Sequence, residues 1–352
     1  MSSSSSSFSF TLPTELFAKE PPERRGIARD EVKLMVINRK NYRIHHARFY
    51  SLSKFLRPGD LLVFNASRTL PAVLNGCSSS IGSCIEVRLA EHLPDDSWLA
   101  LLRCEKGDPF SCGLRSGMRI NFGQGLTGMV YGSDTNIQRL WKICFSKSGS
   151  ELMDVLYHLG QPVRYEYLPV PWDLDYYQTI YAREPGSAEM PSAGRAFTWK
   201  LIFDLKRSQV NIASIVLHTG LSSYMDDVLD AKHPSSEEEF FISEATAEKI
   251  NNTHSKGGRV IAVGTTVVRA LESAVDGAGK VIAMHRYTRL HITAEHVLKT
   301  VDGLLTGLHE PEASHLDLLS AFIPKEKIRQ SYEEAIKRKY LWHEFGDLNL
   351  IL

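Results

Sequence analysis

The stretch Gly257-Gly258-Arg259-Val260-Ile261-Ala262-Val263-Gly264-Thr265-Thr266-Val267-Val268-Arg269 changes period at its middle. Val260 to Val263 is a short unbroken apolar run bounded by glycines, the pattern of a strand buried on both faces. From Thr266 to Ala274 the apolar residues recur at helical spacing. A strand that feeds a helix in this way is half of an α/β unit. Its Gly-Thr-Thr turn presents backbone N–H groups and two hydroxyls at a helix N-terminus, where a carboxylate, phosphate or ribose oxygen can be held. Capping of the helix by Thr265 or Thr266 is the competing reading. The stretch lacks GxGxxG and GxxxxGK[ST], so it is neither a dinucleotide fingerprint nor a P-loop.

The same alternation extends outward. Val32 to Asn38 and Ala213 to Leu217 read as strands, and so does Leu61 to Phe64 after the turn Arg57-Pro58-Gly59-Asp60. Thr198 to Lys206 and Ile242 to Asn251 read as helices. Between Pro71 and Gly160, short apolar stretches alternate instead with Gly, Ser, Asn and Asp clusters, the pattern of a small all-β barrel. The expected fold is α/β: a large α/β domain formed by residues 8–70 and 161–352, with a smaller all-β barrel domain inserted at 71–160. Residues 1–7, dominated by serine, are expected to be a disordered tail.

Composition narrows the function class. Lys+Arg and Asp+Glu both number 41, so no global basic excess draws in a polyanion, although a local basic patch suffices for RNA. The five cysteines form no CxxC pair and have no histidine doublet at zinc spacing, which predicts reduced, mostly buried thiols and no metal. No apolar run approaches the ~20 residues of a membrane span, and the serine-rich start lacks the basic and apolar regions of a secretory signal. A cytoplasmic enzyme is expected.

Two further clusters carry candidate chemistry. Asp175 to Ala182 includes Tyr177 and Gln178, suited to stacking on a heterocycle and reading its edge, or else to a packed Tyr-rich turn. Pro191 to Thr198 follows, where Ser192 and Gly194 would bring backbone close to a ligand. His218 ends an apolar strand, His233 precedes the run Glu237 to Glu239, and His309 lies in Leu308-His309-Glu310-Pro311. Each is a candidate proton-transfer group near neutral pH, against a structural role as the alternative. The glutamate run reads as a solvated face.

In order along the chain these pieces resemble the S-adenosylmethionine:tRNA ribosyltransferase-isomerase family of queuosine biosynthesis. Leu56 to Asn65 with Arg68 is similar to that family's R-P-G-D-L-L-V-x-N and N-D-T-R-V. Tyr177 to Ala182 is similar to Y-Q-T-V-Y-A, Pro191 to Thr198 to P-T-A-G-L-H-F-T, and Val263 to Ser273 to V-G-T-T-S-V-R-T-L-E-S. Thr306 to Phe322 lies without gaps on T-N-F-H-L-P-x-S-T-L-L-M-L-V-S-A-F.

The resemblance implies an α/β domain with an inserted barrel and S-adenosylmethionine as co-substrate, with no further cofactor and no metal. It also implies transfer of the ribosyl group to 7-aminomethyl-7-deazaguanine in tRNA, giving epoxyqueuosine-tRNA, adenine and methionine. Carried onto this chain, it implies substrate contacts from Arg68, Tyr177, Gln178, Ser192, Gly194, Thr265, Thr266 and Arg269, and proton transfer by His218, His233 and His309. The chain departs from the motifs at Ala66, Ala196, Ser235, Ser236 and Gly307, where the family has Asp, His, Met, His and Asn. Those departures leave open a paralogue with a non-tRNA acceptor, or an inactive nucleoside- or RNA-binding protein.

Overall fold

The computed structural model describes residues 10–80, 82–104, 113–135, 137–165, 167–223, 237–311 and 313–352. The chain begins with β1 (Lys33–Ile37), β2 (Ile44–Arg48), β3 (Leu61–Asn65) and the short β4 (Ser67–Thr69). It then runs through β5 (Val73–Ser78), β6 (Ser83–His92), β7 (Trp98–Cys104), β8 (Arg119–Gly123), β9 (Leu126–Ser133) and β10 (Leu140–Phe145) before α1 (Gly149–Leu159). It continues through β11 (Glu184–Ser187), α2 (Trp199–Arg207), β12 (Asn211–Leu217), β13 (Glu238–Ile242), α3 (Glu244–Ser255), β14 (Val260–Val263) and α4 (Thr265–Ser273). Last come β15 (Met284–Thr288), β16 (Gly303–Gly307), α5 (His315–Leu319), α6 (Lys325–Lys337) and β17 (Leu348–Ile351).

The α/β expectation holds: nine strands form one sheet in the order β15-β13-β12-β3-β14-β16-β17-β1-β2. Strand alternation builds a core on each face. Leu61 and Val63 of β3 and Val260 and Ala262 of β14 pack with Ile250 of α3, Leu271 of α4 and Tyr332 of α6. Leu62, Phe64, Ile261 and Val263 point the other way, onto Leu201 and Leu205 of α2. A helix expected from Ile242 instead begins at Glu244, because Phe240 and Ile242 are core residues of β13 and Ser243 accepts the Thr246 N–H at 3.3 Å as its N-cap.

Strands β5 to β10 close a six-stranded barrel around Leu74, Val87, Leu102, Ile120, Val130 and Ile143. Helix α1 is not part of the all-β expectation; it packs Leu152 and Leu156 on this core. The chain enters and leaves the barrel at one place, since Val73 and Gln161 exchange backbone hydrogen bonds of 2.9 and 2.8 Å. The expectation of reduced, mostly buried thiols holds only in part: Cys77, Cys84 and Cys144 carry reduced thiols, but Cys77 and Cys84 face each other across β5 and β6 as exposed residues, and Cys104 is disulfide-bonded. Among the described residues no helix is long and apolar enough to cross a membrane.

The family-like motif Leu56–Asn65 begins at the start of the parallel strands, where it holds the sheet. Asp60 is 1% exposed and accepts from the Arg57 N–H at 2.7 Å and from the Arg259 guanidinium at 2.6 Å. That pair ties the Pro-Gly turn before β3 to the start of β14.

Candidate active site

Strands β3, β12, β14 and β16 run parallel, so Asn65, His218, Gly264 and Gly307 emerge along one edge. The carboxyl ends of parallel strands are where open α/β sheets bind ligands. Gly264 takes φ of 99°, a value that favours glycine, and occupies the N-cap position of α4 without a side-chain cap. The capping reading of Thr265 and Thr266 is therefore wrong: neither hydroxyl makes a hydrogen bond among the described residues. The segment Ser192–Gly194 lies over this turn, with Ala193 Cβ near Gly264. A Cβ on Gly194 would fall 1.8 Å from the Tyr181 hydroxyl, so only glycine fits. Arg269, one turn into α4, pairs with Glu238 of β13 and donates through Nε to Leu290 O at 3.0 Å.

A polar relay joins β4, β11 and the end of β12. Asn65 fixes its start, accepting from the Ser67 and Leu217 N–H groups at 3.0 Å each and donating to Leu217 O at 2.8 Å. The Thr219 N–H donates to Ser187 Oγ at 3.0 Å. Ser187 and Ser67 are 2.6 Å apart through their hydroxyls, and Ser67 Oγ is 2.8 Å from His218 Nδ1. The arrangement that uses every hydroxyl proton runs Thr219 to Ser187 to Ser67 to Nδ1, which leaves the proton of a neutral imidazole on Nε2. Burial holds His218 below its ordinary pKa, so it is neutral at pH 7.

His218 lines a cleft of about 450 Å³ between the barrel and the sheet, within the size range of small-molecule sites. Leu93, Trp98, Leu99, Leu140 and Met153 give it one apolar wall. Glu91 and Asp134 from the barrel side, with Glu238 and Glu239 of β13 and Glu237 just before it, give it an acidic character that Arg289 only partly balances. The glutamate run expected to be a solvated face therefore borders the cleft, and Glu238 is buried.

A second cavity, lined by Arg29, Ser192, Arg195, Ala196 and Gly307, measures about 10 Å³, room for about one water. Ser192 thus faces a space too small for a substrate. Beside it, the buried Arg195 pairs with Glu23 at 2.8 Å.

The other expected residues divide. Arg68 is exposed on β4 with its guanidinium over the Tyr157 ring at 5.5 Å. Tyr177 does not offer its ring to a ligand: it is 2% exposed, packs on Phe345 at 5.3 Å, and burial raises its hydroxyl to about 12. Gln178 is spent on the backbone, clamping Thr69 N and O at 3.1 and 2.8 Å. His309 accepts or donates at Thr306 Oγ1 at 2.9 Å and stacks on His315 at 4.6 Å, with burial pushing its pKa well down. His233 lies outside the described residues.

The family described as queuosine biosynthesis protein matches residues 5–351. The S-adenosylmethionine:tRNA ribosyltransferase-isomerase of Carboxydothermus hydrogenoformans is 37% identical over 350 residues, covering 98% of each chain. That of Moorella thermoacetica is 35% identical, again over 98% of both. The chain belongs to the queuosine biosynthesis protein family. A crystal structure of S-adenosylmethionine tRNA ribosyltransferase from Thermotoga maritima superposes with a TM-score of 0.54 at 30% identity, covering 98% of this chain and 99% of that one.

Within this family member, sequence reading misses Ser67 and Ser187, which hold His218, and Glu91, which lines the cleft. Ser67 and Ser187 are 120 positions apart and meet only through the parallel pairing of β4 with β11. No sequence signal marks that pairing.

Proposed function

We propose that this chain transfers the ribosyl group of S-adenosylmethionine, with isomerisation, to the exocyclic amine of 7-aminomethyl-7-deazaguanine in tRNA, releasing adenine and methionine in the cytoplasm. Family membership supports the reaction, and the acid-lined cleft supports its placement. S-adenosylmethionine is a cation at its sulfonium and its ammonium, and the acceptor amine is a cation until deprotonated. A cavity rich in carboxylates with one apolar wall suits both reactants, whereas a phosphate backbone would be repelled from it. RNA contact then belongs outside the cleft, with the exposed Arg68 as a candidate.

The sulfonium acidifies the adjacent ribose 5′ carbon, so a base can take its proton and begin the rearrangement without a metal. In this reading His218, oriented by Ser67, donates from Nε2 to an oxygen or leaving group of the sugar. Thr265 and Thr266 offer uncommitted hydroxyls at the same sheet edge. Arg269 acts through Glu238 and not by direct contact. The barrel, placed at residues 71–160, is proposed as the domain that closes the site opposite the large α/β domain.

The test is incubation with S-adenosylmethionine and tRNA carrying 7-aminomethyl-7-deazaguanine, following adenine release and nucleoside mass together. Adenine with epoxyqueuosine in the tRNA is the expected result. Adenine without modified tRNA would transfer the reading to another acceptor, and neither product would refute it.

A further inference from the structure

Five carboxylates border the cleft, and four already have partners. Glu237 pairs with Arg289 at 2.8 Å, Glu238 with Arg269, and Glu239 with His285 at 2.6 Å. Asp134 accepts the Ile137 N–H at 2.7 Å. Glu91 makes no hydrogen bond and no ion pair among the described residues.

Its position results from a local irregularity. In the pairing of β6 with β7, Leu89 lies opposite Ala100 and Glu91 opposite Leu99, so Ala90 is an extra residue in β6. Such a bulge re-aims the side chain that follows it, and bulges collect beside active sites for that reason. Here the re-aimed side chain is a carboxylate among the cleft-lining residues, and Gly220, just after His218, packs on the bulge at the Ala90 carbonyl.

We infer that Glu91 is the proton acceptor of this cleft, taking from the acceptor's ammonium the proton it must lose before its nitrogen can attack carbon. The inference rests on the ribosyl-transfer reading above. In the step, an N–H bond of the ammonium breaks, an O–H bond forms on Glu91, and the electron pair stays on nitrogen as the nucleophilic lone pair. The carboxylate becomes a neutral acid, so total charge is conserved within the pair.

The surroundings of Glu91 suit this task. Burial, followed by the charges of Glu237, Asp134, Glu238 and Glu239, raises it to about 7. The remaining groups nearby oppose this little. His218 is neutral, His92 is turned to Asp96 at 2.9 Å, Arg289 is held by Glu237, and Tyr287 has its own pKa raised in part by Glu91. A primary ammonium titrates near 10.4 and an ordinary glutamate near 4.3, so a base at about 7 narrows the mismatch by roughly 10²-fold to 10³-fold.

The experiment compares the full-length wild type with Glu91→Gln and Glu91→Asp, measuring S-adenosylmethionine affinity by calorimetry and adenine release against pH with modified tRNA. Expected for Glu91→Gln is affinity within about threefold of wild type and a kcat lower by ~10²-fold to 10³-fold. The wild-type rate should fall as pH drops below about 7, and this limb should vanish in Glu91→Gln. Glu91→Asp, which keeps the carboxylate, should retain the limb at reduced rate, and it decides the matter if Glu91→Gln does not fold. Wild-type kcat in Glu91→Gln, or an unchanged acid limb, overturns the inference while leaving the ribosyl-transfer reading in place. So does a loss confined to S-adenosylmethionine affinity, which would make Glu91 a donor-binding group. A wild type that binds S-adenosylmethionine but releases no adenine overturns both.

Discussion

Replacing Glu272 by alanine should loosen the segment before β16 where it docks on α4, without touching any reactant. The Glu272 side chain is fully buried and its carboxylate gathers the backbone N–H groups of Lys299, Thr300 and Val301 at 3.0–3.2 Å, with His296 Nε2 at 3.3 Å. Thr300 and Val301 are only 2% and 3% exposed, so water cannot replace the lost acceptor at those two amides. An orphaned buried donor costs ~1–3 kcal/mol, and more when the lost acceptor is charged, so two of them predict ~4 kcal/mol. Glu272→Gln keeps one acceptor oxygen and should cost ~1–2 kcal/mol. Amide exchange measures this locally. In Glu272→Ala the Thr300 and Val301 amides should exchange ~10³-fold faster, the equivalent of ~4 kcal/mol, with a parallel drop in Tm. Protection within tenfold of wild type at both amides would refute the reasoning and reduce Glu272 to a replaceable contact.

Three further outcomes follow from the geometry. Gly194→Ala should destabilise the Ser192–Gly194 turn through its clash with the Tyr181 hydroxyl, and Tyr181→Phe should restore part of the lost Tm; no rescue would mean that the turn's backbone, and not the clash, sets the cost. Ser67→Ala removes the partner of His218 Nδ1, so ¹⁵N shifts should show the imidazole losing its single tautomer and adenine release should fall by ~10-fold to 10²-fold; a wild-type tautomer would break the proposed relay. Burial raises Glu344 to about 7, so folding takes up a proton between pH 4.5 and 7 and its contribution to stability declines as pH rises through that window. The neighbouring His343, lowered to about 4, acts in the opposite sense and loses stability as pH falls from 6.5 toward 4. Glu344→Gln should therefore raise Tm relative to wild type more at pH 8 than at pH 5, and an equal change at both would contradict the assignment.

The sheet was legible because its strands are buried on both faces: Val260 to Val263 and Leu61 to Phe64 are apolar without a break, and such runs need no knowledge of their partners. The barrel was legible for the opposite reason, from the spacing of its turns. The cleft was not, because its chemistry comes from residues whose meaning is set by tertiary pairing. Tyr177 and Gln178 look like recognition residues in sequence, yet one ring fills a core beside Phe345 and one amide clamps the Thr69 backbone. Aromatic and amide side chains serve cores and ligands equally well, and composition does not separate the two uses. His218 was legible because a polar residue ending an apolar strand must emerge at the sheet edge. Ser67 became meaningful only once β4 met β11 and brought Ser187 beside it.

Glu91 shows why the remaining part of the site was hidden. Strict alternation along β6, with Ile85, Val87 and Leu89 pointing into the barrel, would send Glu91 into the same apolar interior, where an unpaired glutamate does not belong. The extra residue at Ala90 breaks the alternation, and the sheet that meets the barrel there supplies Glu238 and Glu239 of β13, with Glu237 just before it. Neither half explains the site alone, since the barrel provides an unpaired carboxylate, and burial in the cleft, followed by charges from both sides, keeps its proton affinity high. A base built this way depends on the distance between the two bodies. Drawing the barrel away from β13 would expose Glu91 and lower its proton affinity toward that of an ordinary glutamate.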